Sequence, residues 1–394
     1  MVLIVGIASC NVAPSTPALS GLSPLLEKAD SGIALPRPHL PTGADTNSAA
    51  AYYNWGVPLV RFGIKLDTAE MALYWASRLD PSWPDPIYGR AVVILQALKH
   101  DAFETWLRSH SIRAVRHLDL STRQLELIDS LQRIAWARNP FLYTDLEFAQ
   151  LAPGRPGDPA RAGWLAFASR RFGVADSLFA LDLHKHPEDV GVRIYRARAL
   201  FYLERYDSAV AELVAARDSI RGRVAAAVAR VLPSVEMFDY AIGIARVQQD
   251  DFPAARAAFE RALTENLSFY WAHARLAGSA LALADTTTAL TELAEAVEIE
   301  GRDPLLRMYN GAILRDTRRF DEAAAQLQEA IALDPYYAAP HYWLATVYQA
   351  QGKVQQAIAE YSWFLDHAAR ADPYRPTVLR ALNVLGAARS DSSR

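Results

Sequence analysis

The chain has 394 residues, 51% of them hydrophobic and 22% charged, and its 41 Lys and Arg against 44 Asp and Glu leave a formal net charge of −3. This balance excludes a chain-wide basic field for gripping nucleic-acid phosphates, and the hydrophobic share excludes a wholly disordered chain. A single cysteine, Cys10, excludes an intrachain disulfide and any zinc or redox site built on paired thiols.

Residues 1–10 form an apolar run that ends in Ile7, Ala8 and Ser9 before Cys10, with no Lys or Arg ahead of the thiol. A helical membrane span needs about 20 apolar residues, so the run is too short to be one. Residues Ile7 to Cys10 resemble the lipobox of bacterial lipoproteins. That resemblance implies a signal peptide over 1–10, acylation of Cys10, and a chain held to a cell-envelope membrane on its periplasmic or surface face. The alternative is a cytoplasmic chain with an apolar N-terminus. Residues 11–49 carry Pro14, Pro17, Pro24, Pro36, Pro38 and Pro41 among Ser, Thr, Gly and Ala without helical periodicity, a composition that predicts an extended tether.

From residue 50 to 155 the pattern predicts irregular helices. A degenerate hairpin beginning near Ala50 places Ala69, Leu73, Ala76 and Pro81 at helical spacing, and Pro58 is expected to break or shorten its first helix. Helices are predicted over about Pro86 to Leu98 and Ala102 to His117. A third is expected to be capped by Ser121 with Gln124 three residues on, and to be stopped by Asn139-Pro140. His100, Asp101, Glu104, His110 and His117 cluster in this stretch, as a solvated helix face or, in the competing reading, an enzyme site. Residues 154–159, rich in Gly and Pro, predict a surface loop.

A repeat then takes over. Units beginning at Pro156 and Val190, and at Glu236, Tyr270, Pro304 and Ala338, are spaced by 34 residues, with one insertion of 12 residues ahead of Glu236. Their eighth positions hold Gly163, Ala197, Gly243, Ala277, Gly311 and Ala345, and their twentieth hold Ala175, Ala209, Ala255, Ala289, Ala323 and Ala357. Four residues later stand Phe179, Leu213, Phe259, Leu293, Leu327 and Tyr361. Small residues at two positions let antiparallel helices approach closely, and a large one fills the groove between them. One such hairpin cannot bury its apolar face alone, so the units must stack. The array covers 156–371; residues 372–394 predict a capping helix, roughly Arg375 to Ala388, and a short tail.

The pattern resembles the tetratricopeptide repeat, met most fully by His341, Leu344, Ala345, Tyr348, Ala357 and Tyr361. The resemblance implies an all-α solenoid, a right-handed superhelix of helical hairpins, here with a less regular helical N-terminal part. It further implies a concave groove lined by the first helices: Trp164, Phe167, Ile194, Arg198, Phe201, Tyr202, Met237, Tyr240, Ile244, Trp271, Leu305, Met308, Arg315 and Tyr342, with Asp316 beside them. This lining is aromatic and apolar, unlike the Lys, Arg and Asn set that clamps a peptide's terminal carboxylate. Two readings follow: a slot for an amphipathic helix or extended apolar segment of a partner, or a face already covered by neighbouring helices or the N-terminal arm.

No G-x-S-x-G, H-E-x-x-H, G-x-x-x-x-G-K-[ST] or G-x-G-x-x-G motif occurs. His184 and His186 fall in an inter-repeat turn, and Asp250 with Asp251 precede a helix start, where acids cap. The expectation is a non-enzymatic scaffold, without cofactor or metal, that binds a protein or peptide and meets the membrane through Cys10. A self-associating envelope protein, homo-oligomeric through its apolar faces, is the competing reading.

Overall fold

The computed structural model describes residues 35–109, 122–143, 157–221 and 234–392, and every regular element among them is helical. Two hairpins come first: α1 (Ala49–Phe62) with α2 (Leu66–Leu79), and α3 (Pro84–Ser109) with α4 (Thr122–Arg138). Six more follow, pairing α5 (Pro159–Ala168) with α6 (Phe172–Lys185), α7 (Val190–Tyr202) with α8 (Tyr206–Arg221), and α9 (Val235–Val247) with α10 (Phe252–Glu265). Next come α11 (Tyr270–Ala282) with α12 (Thr286–Ile299), α13 (Pro304–Asp316) with α14 (Phe320–Leu333), and α15 (Ala339–Ala350) with α16 (Val354–His367). The last helix, α17 (Arg375–Ser392), lays Val378 and Leu385 against the final hairpin. Cys10 and the rest of residues 1–34 lie outside the described residues, as do the Ser121 cap, His110, His117 and residues 154–156 of the 154–159 loop.

The small-residue rule holds at atomic scale. A Cβ at Gly243 would stand 2.4 Å from the Phe259 ring, one at Gly311 2.6 Å from Leu327, and one at Gly163 2.7 Å from Phe179. Each large residue thus occupies the space that a side chain at the eighth position would need. Asp189, Asp251, Asp285 and Asp303 start α7, α10, α12 and α13 by accepting a hydrogen bond from a backbone N–H in the first turn. Asp251 therefore caps, as its place before Phe252 predicts.

A second periodic feature escapes the residue pattern. Arg170, Glu204, Asp250, Ala284, Arg318 and Gly352 all take a left-handed conformation, with φ between 55° and 72°. The next amide then donates back across the turn, for example Asp285 to Ala280 O at 2.8 Å and Lys353 to Tyr348 O at 2.9 Å. Glycine is the residue that makes such a turn without strain, and only one of the six positions holds it. The closure of each hairpin carries the others.

Four expectations for the N-terminal part are corrected. Helix α1 runs straight through Pro58 rather than breaking there. Pro58 and Asn54 both face solvent, so the Asn54 carbonyl that loses its helical donor is open to water. The first hairpin starts at Ala49, not Ala50: a Cβ at Gly56 would stand 3.1 Å from the Ala72 Cβ, and α2 begins three residues after the left-handed Gly63, one more than in the repeats, with Lys65 left-handed as well. Residues 86–109 form one helix where two were expected, because no Gly or Pro interrupts Leu98 to Asp101. Residues 35–48, expected in the tether, are folded onto α1 and α2: Leu35 is buried, its carbonyl accepts from Trp75 Nε1 at 2.9 Å, and Arg37 lies over the Trp75 ring.

Candidate functional site

Helix α4 ends where Asn139 meets Pro140, which has no N–H to continue the helix. The Asn139 side chain accepts from the Phe141 amide at 2.9 Å and its backbone carbonyl accepts from Leu142 at 3.1 Å, which turns the chain sharply. Residues 137–143 are thereby led across the inner face of the array, in the direction opposite to its repeats. Arg138 pairs with Asp303 at 3.1 Å and stacks over the Trp271 ring. Its carbonyl accepts from Arg275 Nη2 at 3.1 Å, while the Ala137 carbonyl accepts from the Tyr240 hydroxyl. Burial pushes the Tyr240 phenol up, so it remains a protonated donor there. The Phe141 ring stacks on Phe201, centroids 3.9 Å apart, and the Phe141 carbonyl accepts from the Tyr202 hydroxyl at 2.8 Å. That hydroxyl in turn accepts from the Tyr143 amide at 2.9 Å, and Tyr143 donates to Ala168 O at 2.8 Å. Ala137, Arg138, Phe141 and Tyr143 thus touch the array from the start of α13 back to the end of α5.

A second docking line joins α1 and α2 to the inter-repeat loops near the C-terminus. Arg78 makes a bidentate pair with Asp334, at 2.7 and 2.8 Å, and Trp75 meets Tyr336 edge-on at 4.6 Å. Beyond it, Asn47 Nδ2 donates to the Asp366 carbonyl at 3.0 Å, and Asp45 accepts from the Arg370 amide at 2.6 Å. A fork-shaped guanidinium on a carboxylate fixes orientation as well as charge.

The fourteen residues that the repeat resemblance assigns to the groove fall into three groups. Phe167, Phe201, Tyr202, Tyr240 and Trp271 meet residues 137–143 directly, and Ile194, Met237 and Ile244 pack in the same apolar clusters as Ala137 and Phe141. Trp164, Arg198, Leu305 and Met308 are buried within the array: Arg198 lies over the Phe167 and Tyr195 rings, and Met308 Sδ accepts from Tyr337 OH. Arg315 and Tyr342 stand apart, toward α17. The Arg315 guanidinium covers Trp343 at 4.5 Å and reaches Thr346 at 3.2 Å, while Tyr342 stacks on Tyr374 at 4.3 Å. Asp316 pairs with Arg315. Of the two readings, the covered face describes residues 190–282 and the more open one describes this C-terminal stretch, where Tyr309 and Tyr374 are each 36% exposed.

Arg275, Asp303, Asp334, Arg78 and Arg138 were not legible as site residues. Arg275 lies one position beyond a groove-lining one, the two aspartates stand at helix ends, and the two arginines sit on helices outside the repeat. His184 and His186 are exposed at the end of α6.

Profile comparison matches a model described as tetratricopeptide repeat over residues 240–306 and one described as TPR repeat over residues 311–352. No curated protein matches the chain. Among solved structures, YrrB, described as a TPR protein with an unusual peptide-binding site, is 21% identical with a TM-score of 0.40, over 52% of this chain and 96% of its own. TTC0263, a thermophilic TPR protein of Thermus thermophilus, is 19% identical with a TM-score of 0.36, over 47% and 95%. MamA from Desulfovibrio magneticus RS-1 is 15% identical with a TM-score of 0.39, over 45% and 93%.

Proposed function

We propose that this chain, a member of the tetratricopeptide-repeat proteins, is a non-enzymatic scaffold held to a bacterial membrane through acylated Cys10 and presenting its array to a protein partner. One observation carries the scaffold reading: the inner face holds the last turn of α4 and the turn that follows it by their backbone carbonyls, through Tyr240, Arg275 and Tyr202, as a peptide-binding surface does. The partner engages the array where the inner face is least covered, around Tyr309, Trp343 and Tyr374. The anchor rests on Ile7 to Cys10 and the proline-rich stretch after it. Among the described residues no helix is long and apolar enough to cross a membrane.

Photo-crosslinkers placed at Tyr309 and, as a control on a second helix, at exposed Leu181 test the scaffold in native membranes. One reproducible protein adduct at Tyr309 and not at Leu181 is expected; equal labelling at both would sink the reading. Growth on a clickable fatty acid tests the anchor, since label that persists in Cys10→Ser removes it. A second reading, self-association, draws on Leu379 and Val384, which α17 leaves 52% and 64% exposed at the end of the array. Light scattering that shows a monodisperse monomer would set it aside.

A further inference from the structure

Residues 137–143 meet the array along a line of first helices, from Asp303 at the start of α13 back to Ala168 at the end of α5, with Tyr143 also edge-on to Phe172 of α6 and Leu142 turned into the core of α3 and α4. Two side chains anchor them: Arg138, between Asp303 and the Trp271 ring, and Phe141, flat on Phe201. Between and beside these anchors the array holds backbone atoms, which carry no sequence information, at Ala137, Arg138, Phe141 and Tyr143. The fit is incomplete. Arg138 Nε and Nη1 and Trp271 Nε1 are buried without a hydrogen-bond partner, although the Arg138 side chain is only 8% exposed. Arg138 is the last residue of α4, so this segment cannot slide along the face to improve its register.

We propose that residues 137–143 are an internal stand-in, and that the inner face of α7, α9 and α11 binds in trans a partner segment of the same chemistry and shape: a helix end or turn that presents an arginine followed three residues later by an aromatic. This goes beyond the scaffold reading by adding a second seat on the array, and it rests on that reading. The arginine of such a segment takes the seat between Asp303 and Trp271, its aromatic takes Phe201, and Tyr240, Arg275 and Tyr202 hold its carbonyls. Freed from α4, the segment can shift until the buried donors are met. The N-terminal hairpins stay docked meanwhile through Arg78 on Asp334, which the exchange does not touch.

The test uses the full chain and a synthetic peptide of residues 137–143 carrying a photoreactive group. Wild type is expected to bind it weakly, because the seat is filled. The full-chain double variant Arg138→Ala with Phe141→Ala, which weakens the internal occupant, is expected to bind at least tenfold more tightly, with adducts mapping to residues 190–282. A peptide of scrambled order, or one with its arginine replaced by alanine, should lose at least tenfold. Equal binding of the scrambled peptide, or no gain in the double variant, overturns the proposal. So does a concentration-dependent dimer of the double variant, since the occupant would then come from a second copy. Should the double variant lose helix content, the milder Arg138→Gln variant gives the same comparison. Loss of helix in both means that the segment is core, and ends the proposal. A Tyr309 adduct in membranes without peptide binding in vitro would leave the scaffold standing and remove only the motif.

Discussion

The array and the N-terminal hairpins solve the same packing problem by different means. From α5 to α16 the chain repeats one device: a missing side chain receives a large one, as Gly243 receives Phe259, and a left-handed residue closes the turn. In α1 to α4 a missing side chain appears once in such a contact, at Gly56 facing Ala72 and Leu73, and the pattern then gives way to a second left-handed residue at Lys65 and a 26-residue helix. What holds this region to the rest is long-range: two arginine–aspartate pairs, Arg78–Asp334 and Arg138–Asp303, and aromatic contacts at Trp75 and Phe141. Stacked repeats are stabilised by their neighbours, whereas a docked arm is stabilised by whatever surface it meets. The two regions should therefore fail separately.

Removing the array's filler is the most severe break. Phe259→Ala empties a fully buried site and should cost about 3–5 kcal/mol. Urea unfolding should show the loss, and hydrogen exchange should place it in α9 to α12, with α1 and α2 protected until the array opens. Breaking the arm should do the converse. Arg78→Met leaves the Asp334 carboxylate with only the Tyr336 amide, and should cost about 1.5–3 kcal/mol, the range for hydrogen bonds to charged groups. Faster exchange is expected in residues 49–79 with α9 to α14 unchanged. Uniform acceleration in either experiment would mean that the two regions form one cooperative unit.

The turns offer a gain rather than a loss. Ala284 holds φ at 60°, so Ala284→Gly removes a steric penalty and should stabilise the array by about 0.5–1 kcal/mol in chemical denaturation. Any destabilisation would contradict the turn geometry. The smallest effect concerns pH. The side-chain hydrogen bond to Glu292, 2.7 Å away, raises the His273 pKa above its ordinary 6.5 despite partial burial. A raised folded pKa means that the pair stabilises fully below about 6.5, and that its contribution is lost as pH rises through the folded value. Melting temperature should therefore fall more between pH 6 and 8 in wild type than in His273→Gln, and an NMR titration of His273 should show the elevated midpoint.

How much of this could be read beforehand follows from the distances involved. The 34-residue spacing exposes the hairpins because its determinants repeat, and Gly243 meets Phe259 only 16 residues on. The left-handed turns repeat as faithfully in space but not in residue type, since Arg, Glu, Asp, Ala and Gly all fill the position. In the groove, Tyr240, Trp271, Phe201 and Tyr202 were recognisable from their register. What lies on them was not. Pro58 misled because a proline in a helix costs most when the carbonyl it strands is buried, and exposure is a property of the assembled fold.

Composition, period and small-residue placement thus determined by themselves that the chain is a stack of helical hairpins, because these contacts form between near neighbours and recur. Only the tertiary structure decided that the inner face is filled, by residues 137–143, and that the N-terminal hairpins close onto the C-terminal loops. Those contacts join residues 25 to 325 positions apart, as in Tyr143 to Ala168 and Asp45 to Arg370. Each is made once, between residue types with other uses, so no periodic trace of it exists in the chain.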